Sequence, residues 1–504
     1  MGAWLNSRWK FLFALAGLVF FAVAIYLTRG GKEEEPPFVL PPKSVRKAAP
    51  KPPAKVTITQ VYQDNCAHCH GDSGEGGGAG TASFITKELY DQSNDRKFFD
   101  AIKNGVPGTS MPAYGETQKD TMIWGLVVHI RELQSKGLRA KYGSPQPDAK
   151  GVFHSKYANF KLETVIPAGL GLATPWAIDW LPDGRILVTN RPGTMFVVTN
   201  GKLQPVEEMP AVICLGEGGL LDLTVHPNYR SNGWIYLAYA APNYKGDINT
   251  KISRGKLSFG KHIRWTEQQT IYDAPDKYSN TQSHFGSRIL FDGLGHVFFS
   301  IGDRAFADLA QEISNPYGKI FRVNEDGSIP SDNPFATTKG AEAVWSYGHR
   351  NPQGLAFDLH GTLFDTEHGP RGGDELNLIK KGANYGWPKA MFAINYDDTP
   401  WTYPWPAEVN TFEAPLFRWL PSIGSCGLTV VKGPKFGKWK GDLIAGGLAG
   451  RNVDRFRIKD GKLIEHEELL QGIARVRDIA YGPDGNIYLV LNGPDEVVRL
   501  VETT

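Results

Sequence analysis

The sequence predicts a multidomain chain made of an N-terminal transmembrane helix, a small all-α domain and a large all-β domain folded as a six-bladed β-propeller. Three observations predict it. Residues 11–27 carry no charged side chain, a C-x-x-C-H motif at Cys66 to His70 precedes two amphipathic stretches, and one hairpin pattern recurs six times beyond residue 155. At 504 residues the chain exceeds one ordinary core, so several domains are expected. We place them at 1–30 (membrane segment), 31–55 (linker), 56–140 (helical domain) and 155–504 (propeller). A net charge of +2 with 41% apolar residues describes a folded protein and gives no reason to expect a nucleic-acid partner.

The first element is Phe11 to Leu27, preceded by Arg8 and Lys10. As a helix this run spans about 26 Å, enough for the hydrocarbon core. Its flanking charges favour an N-in orientation, weakened by Arg29 and Lys32. The alternative is a cleaved signal peptide ending near Ala22-Val23-Ala24, although the apolar run continues through Leu27. Either reading exports the remainder, and the expected location is anchored to the inner membrane with periplasmic domains. Glu33 to Glu35 and seven prolines between Pro36 and Pro53 then form an extended tether, reaching about 75 Å as polyproline II.

In the helical domain, Cys66-Ala67-His68-Cys69-His70 supplies two thiols for the haem vinyl groups and an adjacent imidazole for iron. A redox dithiol or half a zinc site is the alternative. The loop from Asn104 to Pro112 places Met111 downstream as a sixth iron ligand, a thioether that suits electron transfer. Asp95 is expected to cap a helix over Arg96 to Lys103, ended by Gly105, and Thr117-x-x-Asp120 to open another. In that second helix Met122, Ile123, Leu126, Val127, Ile130 and Leu133 share a face. This order of motif, helix, Met loop and terminal helix resembles a class I cytochrome c and implies haem c.

The large domain repeats one design. Trp180 to Thr189, Val225 to Leu237, Leu290 to Ser300, Ala356 to Phe364, Val431 to Ala445 and Ile479 to Val490 each read strand, Gly-rich turn, strand. Their spacing of 45 to 75 residues is that of four-stranded blades. An irregular sandwich would not need the same hairpin six times.

Polar loops adjoin these hairpins and are expected at one mouth of the channel. Arg350, Arg475 and Arg477 concentrate forked donors suited to a planar polycarboxylate; bonding to blade carbonyls is the alternative for each. Glu367 to Glu375 offers carbonyl and carboxylate oxygens of the type calcium takes. His284, in a Gly/Ser loop, becomes a general base if Asp303 orients it, although a lone histidine is often structural.

The motifs Ser283 to Arg288, Tyr347-Gly-His-Arg-Asn-Pro-Gln-Gly-Leu355, Glu367-His-Gly-Pro-x-x-x-Asp-Glu-Leu-Asn377 and Gly382-Ala-Asn-Tyr-Gly-Trp-Pro388 resemble the soluble quinoprotein glucose, aldose-sugar and sorbosone dehydrogenases, over nearly all of 165–501. The resemblance implies pyrroloquinoline quinone (PQQ) and calcium. It makes His284 the base that takes the substrate hydroxyl proton as hydride leaves for the quinone, and Asp303 the acid that orients it. It assigns Arg350 and Asn351 to the quinone, Arg475 and Arg477 to its carboxylates, the carbonyls of Gly369 and Pro370 to its calcium, and Glu375 and Tyr385 to a second, structural calcium. Glu217 departs from the family's substrate-side Gln, and the family's cofactor-binding Lys has only Arg451 nearby.

Together the domains imply oxidation of a sugar, polyol or aldehyde in the propeller, with electrons leaving through haem c to a respiratory cytochrome or terminal oxidase. Two other classes compete. One is a calcium-dependent propeller lactonase using His284 and Glu217, and the other a non-catalytic binding propeller fused to a cytochrome. Cys214 and Cys426 are open between a disulfide and two free thiols. Insertions near Asn243 to Lys256 and Phe392 to Glu413 are expected to reshape the pocket.

Overall fold

The computed structural model describes residues 55–242, 248–275, 281–403 and 411–503, and residues 55–504 form one compact unit. The expected membrane helix and nearly all of the linker lie outside the described residues. Among those described, no helix is long and apolar enough to cross a membrane.

The helical domain contains α1 (Ile58–Asn65), α2 (Ala67–His70), α3 (Lys87–Tyr90), α4 (Asp95–Asn104) and α5 (Asp120–Tyr142). Thr57 caps α1 by accepting the Gln60 N–H at 3.1 Å, an interaction of about 1 kcal/mol. Two expected caps are corrected. Asp95 is the first helical residue of α4, after Asn94, and its buried carboxylate instead binds Arg131 at 2.6 Å and Arg418 at 2.8 Å. A buried guanidinium needs that anion more than the helix needs its cap. α5 begins at Asp120 behind Lys119, while Thr117 donates its hydroxyl to the Tyr114 carbonyl in the preceding turn. Gly105 does end α4, with φ of 72°. Five of the six residues expected on the inner face of α5 are buried; Leu133 is half-buried.

The β domain is built of six antiparallel four-stranded units, each beginning with one of the six predicted hairpins. The first complete unit holds β3 (Pro175–Trp180), β4 (Ile186–Asn190), β5 (Thr194–Thr199) and β6 (Lys202–Glu207). Next come β7 (Leu220–Val225), β8 (Ile235–Pro242), β9 (Ile248–Ser258) and β10 (Ile263–Asp273), joined to the preceding unit by a short parallel pairing of β10 with β6. The third unit is β11 (Ile289–Phe291), β12 (His296–Ile301), β13 (Lys319–Asn324) and β14 (Val344–Tyr347). The fourth is β15 (Pro352–Phe357), β16 (Leu363–Glu367), β17 (Asp374–Ile379) and β18 (Phe417–Trp419). The fifth is β19 (Ser425–Val430), β20 (Leu443–Gly447), β21 (Asn452–Lys459) and β22 (Lys462–Gln471). The last, β23 (Arg475–Tyr481), β24 (Ile487–Asn492) and β25 (Glu496–Thr503), takes its outer strand from the start of the domain: β25 pairs with β2 (Asn159–Ile166), which pairs with β1 (Phe153–His154).

The first strands of successive units adjoin one another around a closed ring, with β23 returning to β3. Buried and half-buried acids stitch this ring by taking amides of the next unit. Asp478 accepts from Ile178, Asp179 from Val225, and Asp222 from Ile289. Inner strands have backbone donors that water cannot reach, and a carboxylate satisfies them. Arg288 bonds Asp222 and Asp478 at 3.0 and 2.8 Å, tying opposite parts of the ring together. Apolar clusters lie between neighbouring units, as with Trp176, Leu221 and Phe285, or Val431, Trp439 and Leu489. One expected insertion is corrected: residues 248–256 belong to β9, whose polar residues pair with β8 and β10.

Candidate active site

Because the first two strands of each unit are antiparallel neighbours, the start of one and the end of the other lie side by side. The predicted site residues occupy those positions: Glu217 before β7, His284 before β11, Asp303 after β12, Arg350 and Asn351 before β15, Gly369 and Pro370 after β16, and Arg475 and Arg477 at the start of β23.

His284 has φ of 53°, a left-handed conformation that a non-glycine residue adopts only under constraint. Two bonds hold it there. Its N–H donates to Glu217 Oε2 at 2.6 Å, and its Nδ1 meets Asp303 Oδ1 at 2.6 Å. Asp303 is buried and also accepts the Ala305 N–H at 2.8 Å and the Trp387 indole N–H at 2.7 Å. With its oxygens so occupied the carboxylate is fixed in orientation. A proton on Nδ1 facing Asp303 leaves Nε2 as a proton acceptor.

Arg350 is buried beside Trp387, its guanidinium 5.3 Å from the ring centroid. Its N–H donates to Glu367 Oε2 at 2.7 Å and its Nη1 to the His368 carbonyl at 3.2 Å, while Nε is buried without a protein partner. Tyr396 brings its hydroxyl to 3.5 Å from Arg350 Nη2. Asn351 accepts the Gly286 N–H at 3.0 Å, locking the His284 loop to β15. Arg477 lies 4.0 Å over the Trp176 ring and reaches Gln353 Oε1 at 3.3 Å. Burial pulls its pKa below the usual guanidinium range. Arg475 is exposed at the rim. His368 is half-buried, and desolvation together with Arg350, Arg477 and His284 holds its pKa well below the usual imidazole range. Its Nε2 also lacks a protein partner. A neutral imidazole among fixed guanidinium groups, with Arg350 Nε and His368 Nε2 both buried and unpaired, suits an anionic ligand.

The remaining predictions divide. Gly369 donates its N–H to Asp374 Oδ1 at 2.9 Å, and the Pro370 carbonyl accepts from Ser422 Oγ at 3.0 Å, leaving this oxygen a second lone pair. Glu375 and Tyr385 lie in a deeper layer. Glu375 is buried with Asp365 and Glu367, joined to Glu367 through Asn377, and Tyr385 stacks on His349 at 4.6 Å. Burial, then Glu367, raises the pKa of both Asp365 and Glu375 well above the carboxylate range. His349, Asp365 and Glu367 bring one ligand atom each within 4.8 Å of one another. Arg451 is exposed, at φ of 53°, between β20 and β21. Cys214 is exposed and Cys426 buried, and both are free thiols. The roles of Trp387, Trp176 and Tyr396 are not legible in the sequence, because no local pattern shows which distant polar group an aromatic side chain will meet.

In the helical domain Cys66 and Cys69 are half-buried free thiols, Cys66 at the N-cap of the single-turn α2 and Cys69 within it. His70 ends that turn with Nδ1 buried and unpartnered, and burial lowers its pKa, favouring the neutral imidazole that ligates metals. Met111 packs with Cys66 against the same apolar cluster. These donors fit a covalently attached haem.

A closed ring of antiparallel units with a cationic mouth, joined to a C-x-x-C-H helical domain, defines the class as a propeller oxidoreductase carrying a cytochrome. Residues 172–499 match the family model described as glucose/sorbosone dehydrogenase, and residues 54–130 match that described as cytochrome c oxidase, cbb3-type, subunit III. The chain is 36% identical over 322 residues to the aldose sugar dehydrogenase YliI of Escherichia coli, covering 63% of this chain and 86% of that one. It is 30% identical over 276 residues to quinoprotein glucose dehydrogenase B of Acinetobacter calcoaceticus, covering 49% and 56%. The solved apo-form of the soluble E. coli aldose sugar dehydrogenase superposes with a TM-score of 0.62 at 33% identity, over 68% of this chain and all of that one. The PQQ-bound aldose sugar dehydrogenase of Streptomyces coelicolor gives 0.57 at 27% identity, over 68% and 98%. The chain belongs to the glucose/sorbosone dehydrogenase family, extended at its N-terminal side by a cytochrome c domain.

Proposed function

We propose that this protein is a membrane-tethered, PQQ-dependent dehydrogenase of aldose-type sugars or related alcohols and aldehydes, whose electrons leave through haem c to a respiratory acceptor. The observation that carries the reading is the His284–Asp303 pair at 2.6 Å, set in the same mouth as Arg350. The quinone names of the relatives support the cofactor.

PQQ, when bound with calcium, supplies the two-electron hydride acceptor. His284 Nε2 takes the proton of the substrate hydroxyl, and Asp303 holds the ring in the required tautomer and stabilises the charge it gains. Glu217 fixes the His284 backbone and is exposed, so a substrate at the mouth would meet its carboxylate. Arg350, with its unpaired Nε, and Asn351 would hold the quinone. Arg475 and Arg477 would grip its carboxylates, and the carbonyls of Gly369 and Pro370 would take the calcium. Glu375 and Tyr385 belong to a buried layer beneath this site, where a second calcium would be structural. The uncharged run 11–27 and the proline-rich tether support anchoring at the inner membrane with the folded part in the periplasm.

A dye-linked assay tests the reading. Protein incubated with PQQ and calcium is mixed with an aldose panel and a small artificial electron acceptor. Dye reduction that requires both PQQ and sugar is expected. Lactone hydrolysis without dye reduction would replace this reading with the hydrolase.

A further inference from the structure

The helical domain is packed onto the same loop that lies beside Arg350. α5 touches residues 368–374 directly, and glycine permits the contact: a side chain at Gly372, where φ is +82°, would come within 3.2 Å of Val128 and 3.0 Å of Leu420. Next to it, Arg371 meets Glu132 of α5 in two parallel bonds of 2.9 and 2.7 Å, and Asp398 at 2.9 Å. Bidentate charged pairs of this kind fix orientation as well as distance. Asp398 also accepts the Thr59 N–H through Oδ2 at 2.9 Å, and its carbonyl takes the Ile58 N–H at 2.8 Å. Asp398 therefore holds both the loop that carries Arg371 and the first turn of α1, the helix that leads into Cys66. Two positions earlier Tyr396 reaches Arg350.

Apolar packing fills the space beside these charges. Phe392 meets Trp124 edge-on at 5.5 Å, and Trp124 stacks on Phe99 at 4.3 Å. Phe392, Ile394 and Leu420 belong to the same apolar cluster as Cys66 and Met111. The apolar core that includes Cys66 and Met111 is thus in direct contact with the loops of the mouth.

We infer that this face, α5 against residues 368–374 and 391–398, is the internal electron-transfer interface, with Arg371, Glu132 and Asp398 as positioning residues and Trp124 and Phe392 as the packed bridge. The inference rests on the proposed dehydrogenase activity and says where its electrons go. Oxidising one substrate carbon releases two electrons and two protons. Iron(III) accepts one electron and becomes iron(II), and an external one-electron acceptor of the cytochrome class reoxidises it before the second electron crosses. The protons leave through the mouth. Since both sites share one chain in fixed contact, the transfer is first-order and needs no encounter between molecules.

The test uses the full-length haem protein with PQQ and calcium, as wild type, Glu132→Ala and Trp124→Leu. Stopped-flow absorbance records haem reduction after mixing with aldose at two protein concentrations, dye reduction is measured on the same samples, and hydrogen exchange is followed over 124–134 and 368–374 without sugar. Wild-type haem reduction is expected at a rate independent of protein concentration. Glu132→Ala should exchange faster at 368–374 and reduce its haem at least about tenfold more slowly, as small misplacements cost this much, with dye reduction maintained. A haem rate proportional to protein concentration overturns the inference. So does an unchanged haem rate in a variant whose exchange has risen, and so does unchanged exchange in both variants. Absence of dye reduction in wild type counts against the dehydrogenase reading instead, and the exchange comparison then still decides whether Glu132 positions the loop.

Discussion

His284 is held by its neighbours rather than by its own conformational preference. A left-handed histidine costs on the order of 1–3 kcal/mol, offset by the bonds to Glu217 and Asp303. Asp303→Asn should keep the fold but lower dye-linked turnover by about 10²–10⁴-fold, and His284→Ala should fall at least as far, both measured at saturating sugar. A second histidine sets a pH limit. His129 on α5 is buried with both ring nitrogens unpartnered, and burial lowers its pKa despite the raising effect of Glu132 and Asp398, with Arg371 acting to lower it. Its folded pKa lies below the unfolded value of about 6.5. The unfolded chain therefore binds the proton first, and stability present above that range is lost as pH falls through it. Calorimetry from pH 7 to 5 should show a falling Tm, and His129→Leu should flatten part of that slope. Sequence motifs exposed His284, Asp303 and Arg350 because Gly, Ser and Asn neighbours break the strand pattern. Trp387 was not legible, since its partner Asp303 is 84 residues away.

Hairpins were the most legible elements. The first two strands of every unit alternate apolar residues around a Gly turn, which is a local pattern, and all six are present. The outer strands were harder to read. β10 carries many polar residues because one face meets water, and β9 carries buried Asn249, Thr250 and Ser253 that bond Tyr317, the Phe285 carbonyl and Tyr239, so both sequences resemble a loop. The closure of the ring by β2 and β25 is a pairing across more than three hundred residues, and no local pattern records it. The buried centre makes a prediction at this scale. Arg288 is the shared partner of Asp222 and Asp478 and also donates to the Gln353 carbonyl at 2.6 Å. Arg288→Met leaves two buried carboxylates without a cation and should cost about 3–5 kcal/mol, read from chemical denaturation. Adding Asp222→Asn should recover part of that loss.

For the molecule as a whole, the two domains were legible separately and their contact was not. The segment near Phe392 to Glu413 reads as a pocket insertion, yet within it Phe392, Ile394 and Asp398 belong to the face that receives α5. An exposed-looking Arg371 in a Gly/Pro loop gives no sign that Glu132, 239 residues earlier, is its partner. Separate chemistry on a joined frame leads to one prediction. Cys66→Ala with Cys69→Ala should abolish the c-type absorbance of the purified protein while dye-linked sugar oxidation persists. The central claim is that sugar oxidised in the propeller reduces the haem of the same protein. Its most direct test is the visible spectrum of the oxidised haem protein, incubated with PQQ and calcium and then mixed with an aldose panel. The account predicts reduced c-type bands only when quinone and sugar are both present; a haem that stays oxidised while the same sample reduces an artificial dye would contradict it.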